Sequence, residues 1–195
     1  MLNIVIFGAP GSGKGTQSDK LIEHYGLFHI STGDVLRDHI RRGTALGATA
    51  KQYIDAGRLI PDELMIDILA DVLDDNREAT AAGVIFDGFP RTIAQAGALE
   101  NMLADRGTAL STVIGLEVAE EELIERILNR GRLTGRSDDT LETARKRLDV
   151  YHNQTSPLRN YYKERGLYHA VQGSGGIDAV AERISRHLDA ITADA

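Results

Sequence analysis

The sequence predicts an α/β protein whose core is a five-stranded parallel β-sheet flanked by helices. Short apolar runs alternate with longer segments of helical periodicity, an order typical of parallel sheets with right-handed crossovers. Within the runs, polar and apolar residues mostly do not alternate, as expected of strands that are covered on both faces. The runs lie at Leu2–Phe7, Leu27–Ile30, Val84–Asp87, Val113–Val118 and Leu167–Val171.

The segments between these runs predict helices. Their apolar residues recur at the spacing of one helix face. A further helical pattern extends to about Tyr162, and Pro157 is expected to kink or break it. Asp138 and Asp139 precede that helix, and we expect them to serve as its cap and first-turn acids. The other predicted helices lie at Gly15–His24, Asp34–Arg41, Ala48–Asp55, Glu63–Leu73, Ile93–Arg106 and Glu120–Leu128.

The alternation of strands and helices would place a strand in each of two further intervals, but neither contains a strand candidate. Thr32–Ile60 contains two helical pieces, which predicts a small helical insertion. Arg130–Asp139 is a polar stretch with two glycines and three arginines, which predicts a loop. We therefore expect one domain that carries an insertion and one prominent polar loop.

Composition excludes several classes of function. The chain of 195 residues has a net charge of −7, which makes it a poor candidate for binding nucleic acid or an anionic membrane. It has no cysteine, which excludes disulfides, thiolate-bound zinc and cysteine nucleophiles. We find no secretory signal and no apolar run of membrane-spanning length, so we expect the protein to work in the cytoplasm.

A glycine-rich turn follows the first predicted strand. The segment Gly8–Thr16 (GAPGSGKGT) separates the strand Leu2–Phe7 from a helix start, which is the context that a phosphate-binding loop requires. Backbone N–H groups and the helix dipole would attract phosphate there, and Lys14 would add a mobile positive charge. In the general motif, Ser or Thr follows the lysine directly, whereas here Gly15 does and Thr16 comes one residue later.

A carboxylate ends the third predicted strand. Asp87 follows three apolar residues and begins the turn Asp87–Pro90. A turn-forming role is the alternative, but beside a phosphate loop such an aspartate commonly holds Mg²⁺ or its water shell. The sequence therefore predicts a magnesium contact at Asp87.

Arginines follow strand ends and fill the polar loop. Arg91 comes just after the strand that ends at Asp87, at the sheet edge where α/β proteins bind ligands. Arg130 and Arg136 lie in the polar loop, and guanidinium groups match phosphate oxygens bidentately. No residue pattern indicates a general base. A phosphate acceptor needs none, because its second pKa is about 6 and it is mostly a dianion at neutral pH.

Taken together, these motifs resemble the adenylate kinases of the nucleoside-monophosphate kinase family, which have the phosphate-loop NTPase fold. The resemblance spans nearly the whole chain, and Gly15 is part of that family's own form of the loop. The matching segments are Gly8–Thr16, Ser31–Asp34 with Arg37, Gly57–Asp62, Asp87–Thr92 with Gln95, Arg130–Asp139 and Arg145–Leu148.

The resemblance implies a domain with a core (residues 1–30, 61–129 and 140–195), a monophosphate-binding insertion (31–60) and a short lid (130–139). It implies ATP contacts at Gly11, Ser12, Gly13, Lys14, Gly15, Thr16, Arg130 and Gly175. It implies AMP contacts at Thr32, Arg37, Arg58, Leu59, Ile60, Gly88, Phe89, Pro90, Arg91, Gln95, Arg136 and Arg147. The implied catalytic residues are Lys14, Arg91, Arg130, Arg136 and Arg147.

The implied reaction is reversible phosphoryl transfer from MgATP to AMP, with ATP, AMP and ADP as ligands. Mg²⁺ is the implied cofactor, and the short, cysteine-free lid leaves no structural zinc. The resemblance also suggests a monomer. A UMP/CMP kinase of the same fold is the nearest alternative, although relatives that use pyrimidines typically carry alanine where Thr32 stands. A nonenzymatic nucleotide-binding module and a generic phosphate-loop ATPase are further alternatives, and the choice between ATP and GTP stays open.

Overall fold

The computed structural model describes residues 1–193 and contains a parallel five-stranded sheet in the order β2-β3-β1-β4-β5. All five predicted strands are present, with ends within two residues of those predicted. The predicted fold class is therefore confirmed. The strands are β1 (Ile4–Gly8), β2 (Phe28–Ser31), β3 (Val84–Asp87), β4 (Thr112–Glu117) and β5 (Tyr168–Gln172).

Helices connect the strands and cover both faces of the sheet. Between β2 and β3 the chain forms three helices in succession, so the segment predicted as an insertion is helical. The helices are α1 (Lys14–Tyr25), α2 (Thr32–Arg41), α3 (Ala45–Asp55), α4 (Asp62–Asp75), α5 (Ile93–Asp105), α6 (Glu120–Thr134), α7 (Leu141–Val150), α8 (Leu158–Lys163) and α9 (Ile177–Ala193).

Successive residues of β1 supply both halves of the hydrophobic core. Val5 and Phe7 point into one apolar cluster, which α4, α5 and α8 complete. Ile4 and Ile6 point into the cluster on the opposite face, which α1 and α9 complete. Because side chains of a strand alternate between faces, a continuous apolar run is the sequence that such a two-sided core requires.

The register of the sheet brings three segments that contain predicted site residues to the same end of the strands. Ser31 of β2 and Ile6 of β1 both pair with Asp87 of β3. Gly8, where β1 ends, pairs with Leu116 of β4. The phosphate loop, the start of α2 and the Asp87 turn therefore leave the sheet side by side, at the carboxyl ends of the strands.

The prediction that Asp138 and Asp139 cap the following helix is wrong. The N-cap of α7 is Thr140, whose hydroxyl accepts a hydrogen bond from Thr143 N at 3.2 Å. Asp138 and Asp139 are buried instead and form ion pairs with arginines. Aspartates before a helix suit either role, and the nearby cations decide which one they take.

One further expectation about this region needs correction, and one is confirmed. The stretch predicted as a loop from Arg130 begins as helix, because α6 continues to Thr134. Gly135 ends it in the left-handed conformation (φ 66°) and donates to Gly131 O at 2.9 Å. The helical pattern predicted to reach Tyr162 breaks near Pro157, as predicted. A π-helical turn occupies Tyr151–Thr155, and α8 begins directly after Pro157.

No helix in residues 1–193 is both long enough and apolar enough to cross a membrane.

Candidate active site

The phosphate loop joins the end of β1 to the start of α1. Gly13 occupies the N-cap position of α1 with a φ of 93°, a left-handed conformation that favours glycine. No side chain caps this helix start, so its first N–H groups are available to an anion. Lys14 folds back over the loop, and its ammonium donates to Gly8 O at 2.9 Å and Ala9 O at 3.0 Å.

A cleft of about 780 Å³ opens at this loop. Its walls include α1, the insertion, the Asp87 turn, the last turns of α6 and the loop after β5. Most of the predicted site residues line it, including distant ones such as Arg58 and Gly175. The lining residues among those predicted are Gly11, Ser12, Gly13, Lys14, Gly15, Thr16, Arg37, Arg58, Leu59, Asp87, Gly88, Pro90, Arg91, Arg130, Arg136, Arg147 and Gly175.

The other predicted residues are buried against this lining. Thr32 donates its hydroxyl hydrogen to Gly88 O at 3.0 Å. Gln95 accepts a hydrogen bond from Arg91 N at 2.8 Å. These residues therefore form a second layer behind the cleft wall in the ligand-free protein. The buried residues are Thr32, Ile60, Phe89 and Gln95.

Burial and mutual repulsion destabilise the positive charges of the cleft. Burial lowers the pKa of Lys14 to about 8; Asp87 opposes this shift, and the charge of Arg91 adds to it. Burial likewise lowers the pKa of Arg91 to about 10, with Arg147 contributing. These cations lie close enough to repel one another, so an anion that enters the cleft relieves this repulsion.

Two carboxylates neutralise part of this charge. Arg130 donates from Nε to Asp139 Oδ2 and from Nη2 to Asp139 Oδ1, both at 2.7 Å. Arg147 donates to Asp138 Oδ2 at 2.7 Å and to Asp139 Oδ1 at 3.2 Å. Burial alone would raise the pKa of Asp139, but the hydrogen bond and charge of Arg130 hold it below its usual range.

Arg37 and Arg136 complete the positive lining on the insertion side. Arg37 pairs with Asp34 at 2.6 Å, three residues earlier on α2. Burial lowers the pKa of Arg136, and the charges of Arg37 and Arg130 lower it further. Among residues 1–193, Asp138 and Asp139 act on the Arg136 side chain through charge, without a hydrogen bond. Arg136 lines the cleft and is therefore well placed to donate hydrogen bonds to an anion.

Asp87 faces the phosphate loop. A Cβ placed on Gly15 would lie 3.8 Å from Asp87 Oδ2, so the carboxylate approaches the loop backbone closely. His29 Nε2 lies 3.7 Å from the same oxygen, and no lysine or arginine of the described chain forms an ion pair with it. A largely buried carboxylate beside a phosphate site suits Mg²⁺, which prefers hard oxygen ligands.

Sequence reasoning missed Arg126, which also lines the cleft. Its guanidinium donates to Ser12 O at 3.4 Å and to Gly173 O at 3.1 Å, and so it bridges the phosphate loop and the loop after β5. The signal that could have found it is its position four residues before Arg130, on the same face of α6.

The chain is similar in sequence to known proteins over nearly its whole length. The sequence model of the adenylate kinase family matches residues 6–167. An adenylate kinase of Phocaeicola vulgatus is 61% identical over 180 residues, which are 92% of this chain and 94% of that protein. The chain belongs to the adenylate kinase family. An adenylate kinase of Bacteroides thetaiotaomicron is 59% identical over 97% of this chain and 99% of its own length. One from Porphyromonas gingivalis is 52% identical over 97% and 96%.

Membership of the adenylate kinase family confirms the resemblance inferred from the motifs, and with it the phosphate-loop NTPase fold. The matched region begins within β1 and ends just before β5, so it contains the phosphate loop, the insertion, the Asp87 turn and the lid.

Proposed function

We propose that this protein is an adenylate kinase that transfers a phosphoryl group reversibly from MgATP to AMP and forms two molecules of ADP. The main support for this proposal is one observation. Lysine and arginine side chains from the phosphate loop, the insertion, the Asp87 turn and α6–α7 converge on a single cleft of about 780 Å³. A cleft of that size can hold a large ligand set, and its charge suits more phosphates than one nucleotide carries.

The two nucleotides would approach from opposite sides of the cleft. We assign the ATP phosphates to the loop from Gly11 to Thr16 and its adenine to the neighbourhood of Gly175. We assign AMP to the insertion side, where Arg37 and Arg58 line the cleft. The transferred phosphoryl group would then lie between them, near Lys14 and Arg91.

The chemistry requires positioning rather than a general base. A phosphate oxygen of AMP attacks the γ-phosphorus of ATP, the bond from that phosphorus to the bridging oxygen breaks, and ADP leaves with the electron pair. The attacking phosphate has a pKa of about 6, so it carries no proton that must be removed at neutral pH. Catalysis therefore depends on alignment and on stabilising the charge that moves.

We propose that Lys14, Arg91, Arg130, Arg136 and Arg147 supply that stabilisation. In the free protein Arg130 and Arg147 bind Asp138 and Asp139, whose carboxylates present oxygen pairs as a phosphate does. On this proposal, phosphate oxygens take over part of this hydrogen bonding when both nucleotides are bound.

Mg²⁺ is the cofactor in this proposal. The residues fit it, because Asp87 offers a carboxylate beside the phosphate loop that no lysine or arginine of the described chain pairs with. Residues 1–193 contain no group of three or more carboxylate, histidine or cysteine ligands, so the metal would be held mainly by phosphates and water, with Asp87 at one position. When bound, the ion would neutralise charge on the phosphate oxygens.

The insertion and the lid would exclude water. They already touch in the free protein, where Ser137 donates its hydroxyl hydrogen to Asp55 Oδ1 at 3.1 Å, next to the lining residues Arg136 and Ile54. A Cβ placed on Gly57 would lie 3.2 Å from Lys146 Cβ, so the insertion also reaches α7. An enclosed site would favour AMP over water as the acceptor.

A coupled assay tests the proposal. ADP formation is measured with MgATP and, in turn, AMP, GMP, UMP, CMP or no acceptor. We expect turnover with AMP to exceed that with each other monophosphate by at least about a hundredfold. Preference for UMP or CMP would indicate the pyrimidine kinase, turnover without acceptor an ATPase, and binding without turnover a nonenzymatic module. GTP in place of ATP measures donor choice.

We also propose that the enzyme is a cytoplasmic monomer that maintains the balance of adenine nucleotides. Its acidic net charge of −7 supports a role away from nucleic acid and anionic membranes. Sedimentation velocity at micromolar concentration tests the oligomeric state, and a single species near 21.2 kDa is expected.

A further inference from the structure

The side-chain amide of Gln95 is held at both ends. Its Oε1 accepts a hydrogen bond from Arg91 N at 2.8 Å, and its Nε2 donates to Asp62 Oδ1 at 2.8 Å. The residue is only 2% exposed, so water does not compete for these hydrogen bonds. Asp62 is the first residue of α4 and lies 33 positions away in sequence, so this contact is a product of the fold.

Asp62 is itself fixed by a second contact. Thr92 donates its hydroxyl hydrogen to Asp62 Oδ2 at 2.9 Å. The same hydroxyl caps α5, where it accepts from Gln95 N at 3.2 Å. The carboxylate therefore has a defined position between the start of α4 and the start of α5, with one oxygen directed to Gln95.

The two partners of Gln95 allow only one orientation of its amide. An ionised carboxylate can only accept hydrogen bonds, and a backbone N–H can only donate. Rotating the amide by half a turn would place Nε2 against Arg91 N–H and Oε1 against Asp62 Oδ1. Both contacts would then be repulsive, so the chemistry of the partners fixes which end of Gln95 is the donor.

The fixed amide retains one Nε2 hydrogen and one Oε1 lone pair. Adenine presents an acceptor at N1 and a donor at its 6-amino group, which this pair can satisfy together. Hypoxanthine and guanine present a donor at N1 and an acceptor at O6, which is the reverse pattern. We propose that Asp62 is a specificity-determining positioning residue: by fixing the Gln95 amide, it makes the acceptor site select 6-amino over 6-oxo purine monophosphates.

This inference rests on the proposed function, in which AMP is the acceptor. It also requires the base of AMP to reach Gln95, an AMP contact that the resemblance implies and that lies behind the cleft wall in the free protein. The position of Arg91 supports it, because the residue whose N–H fixes Oε1 also lines the cleft. Asp62 would act only through Gln95 and would leave the phosphoryl group untouched. Its removal should therefore change KM for the acceptor and the choice of base much more than kcat.

The test compares AMP with inosine monophosphate as acceptor, at saturating MgATP. The readout is the ratio of kcat/KM for AMP to kcat/KM for inosine monophosphate. In Asp62→Ala we expect this ratio to fall at least about tenfold, the effect of losing one hydrogen bond to a charged group. We expect kcat with AMP to stay within about twofold.

Two variants serve as controls. Asp62→Asn should keep the ratio within about threefold, because its Oδ1 can still accept from Gln95 while its Nδ2 donates to Thr92. Asp67→Ala removes an exposed carboxylate from the same helix and should leave the ratio unchanged. Melting temperatures are measured for every variant, and kinetics are recorded well below the lowest of them.

The outcomes separate this inference from the proposed function. If the unmodified enzyme makes no ADP from ATP and AMP, the proposed function fails. If it is active and Asp62→Ala keeps the same ratio, only the role of Asp62 is overturned. Should Asp62→Ala not fold, Asp62→Ser provides the same measurement, because its hydroxyl is too short to reach Gln95. Failure of both variants to fold would assign Asp62 a structural role and would also overturn the inference.

Discussion

Arg130 and Asp139 meet in a two-point ion pair that joins α6 to the segment before α7. Both hydrogen bonds measure 2.7 Å, and the Asp139 side chain is completely buried while that of Arg130 is 33% exposed. The same carboxylate also contacts Arg147 at 3.2 Å. The buried carboxylate therefore balances two of the proposed catalytic arginines in the absence of nucleotide.

Replacing Asp139 with Asn should destabilise the ligand-free protein. Two arginines would lose their shared negative partner, and because one is partly exposed we expect a loss of about 2 kcal/mol in the free energy of unfolding. A nonhydrolysable ATP analogue with AMP should recover part of the loss, since phosphate would supply the missing charge. Urea denaturation with and without ligands measures both effects. Glu142→Gln, at an exposed ion pair on α7, is the control. An equal loss with and without ligands would contradict this account.

Replacing Lys14 with Met should abolish most turnover while preserving the fold. The substitution keeps the aliphatic stem but removes the ammonium that now donates to Gly8 O and Ala9 O. We expect kcat to fall about a thousandfold, the scale for losing a main electrostatic contact to the transition state. Steady-state ADP formation measures this, with circular dichroism to verify folding. Lys20→Met on the exposed face of the same helix should retain full activity. Near-normal turnover in Lys14→Met would remove the residue from the mechanism.

Replacing Arg37 with Ala should weaken AMP binding selectively. Arg37 lines the insertion side of the cleft, and its partner Asp34 is an exposed carboxylate that can be left unpaired at little cost. We expect Kd for AMP to rise about tenfold to a hundredfold, as for a lost charge-assisted contact, with Kd for ATP unchanged. Isothermal titration calorimetry measures each ligand separately. Arg41→Ala on the same helix is the matched control, and unchanged AMP affinity in Arg37→Ala would place Arg37 outside the AMP site.

Local patterns were sufficient to predict the sheet and the phosphate loop. The three central strands, β3, β1 and β4, are apolar runs buried on both faces, and the loop is defined by glycine spacing, so neighbouring residues contain the necessary information. The roles of Asp138 and Asp139 could not be predicted in this way. Capping and ion pairing fit the same short sequence, and the choice depends on Arg130 and Arg147, which α6 and α7 bring to them.

Contacts between distant segments were beyond sequence reasoning altogether. Asp62 and Gln95 are 33 residues apart, and Arg126 reaches across to Ser12 and Gly173. Such pairs depend on how helices pack on the sheet, which no local periodicity encodes. A related reason explains why the segment predicted as a loop from Arg130 begins as the last turn of α6. The outer face of α6 is solvated and lacks an apolar repeat, so the periodicity did not indicate a helix there.

Binding of the ATP triphosphate should weaken as pH rises through the pKa of Lys14. In the free protein burial lowers that pKa to about 8, so the ammonium is mostly charged at pH 7 and mostly neutral at pH 9. Bound phosphates would raise the pKa again, so binding takes up a proton above pH 8, and affinity must then fall with increasing pH. We expect a loss of about tenfold in affinity for a nonhydrolysable MgATP analogue between pH 7 and pH 9.

Calorimetry in buffers of different ionisation enthalpy measures both affinity and proton uptake. Lys14→Arg, which stays charged throughout, corrects for ionisation of the ligand and should give a flat profile. An equally flat profile in the unmodified protein would show that Lys14 does not titrate on binding.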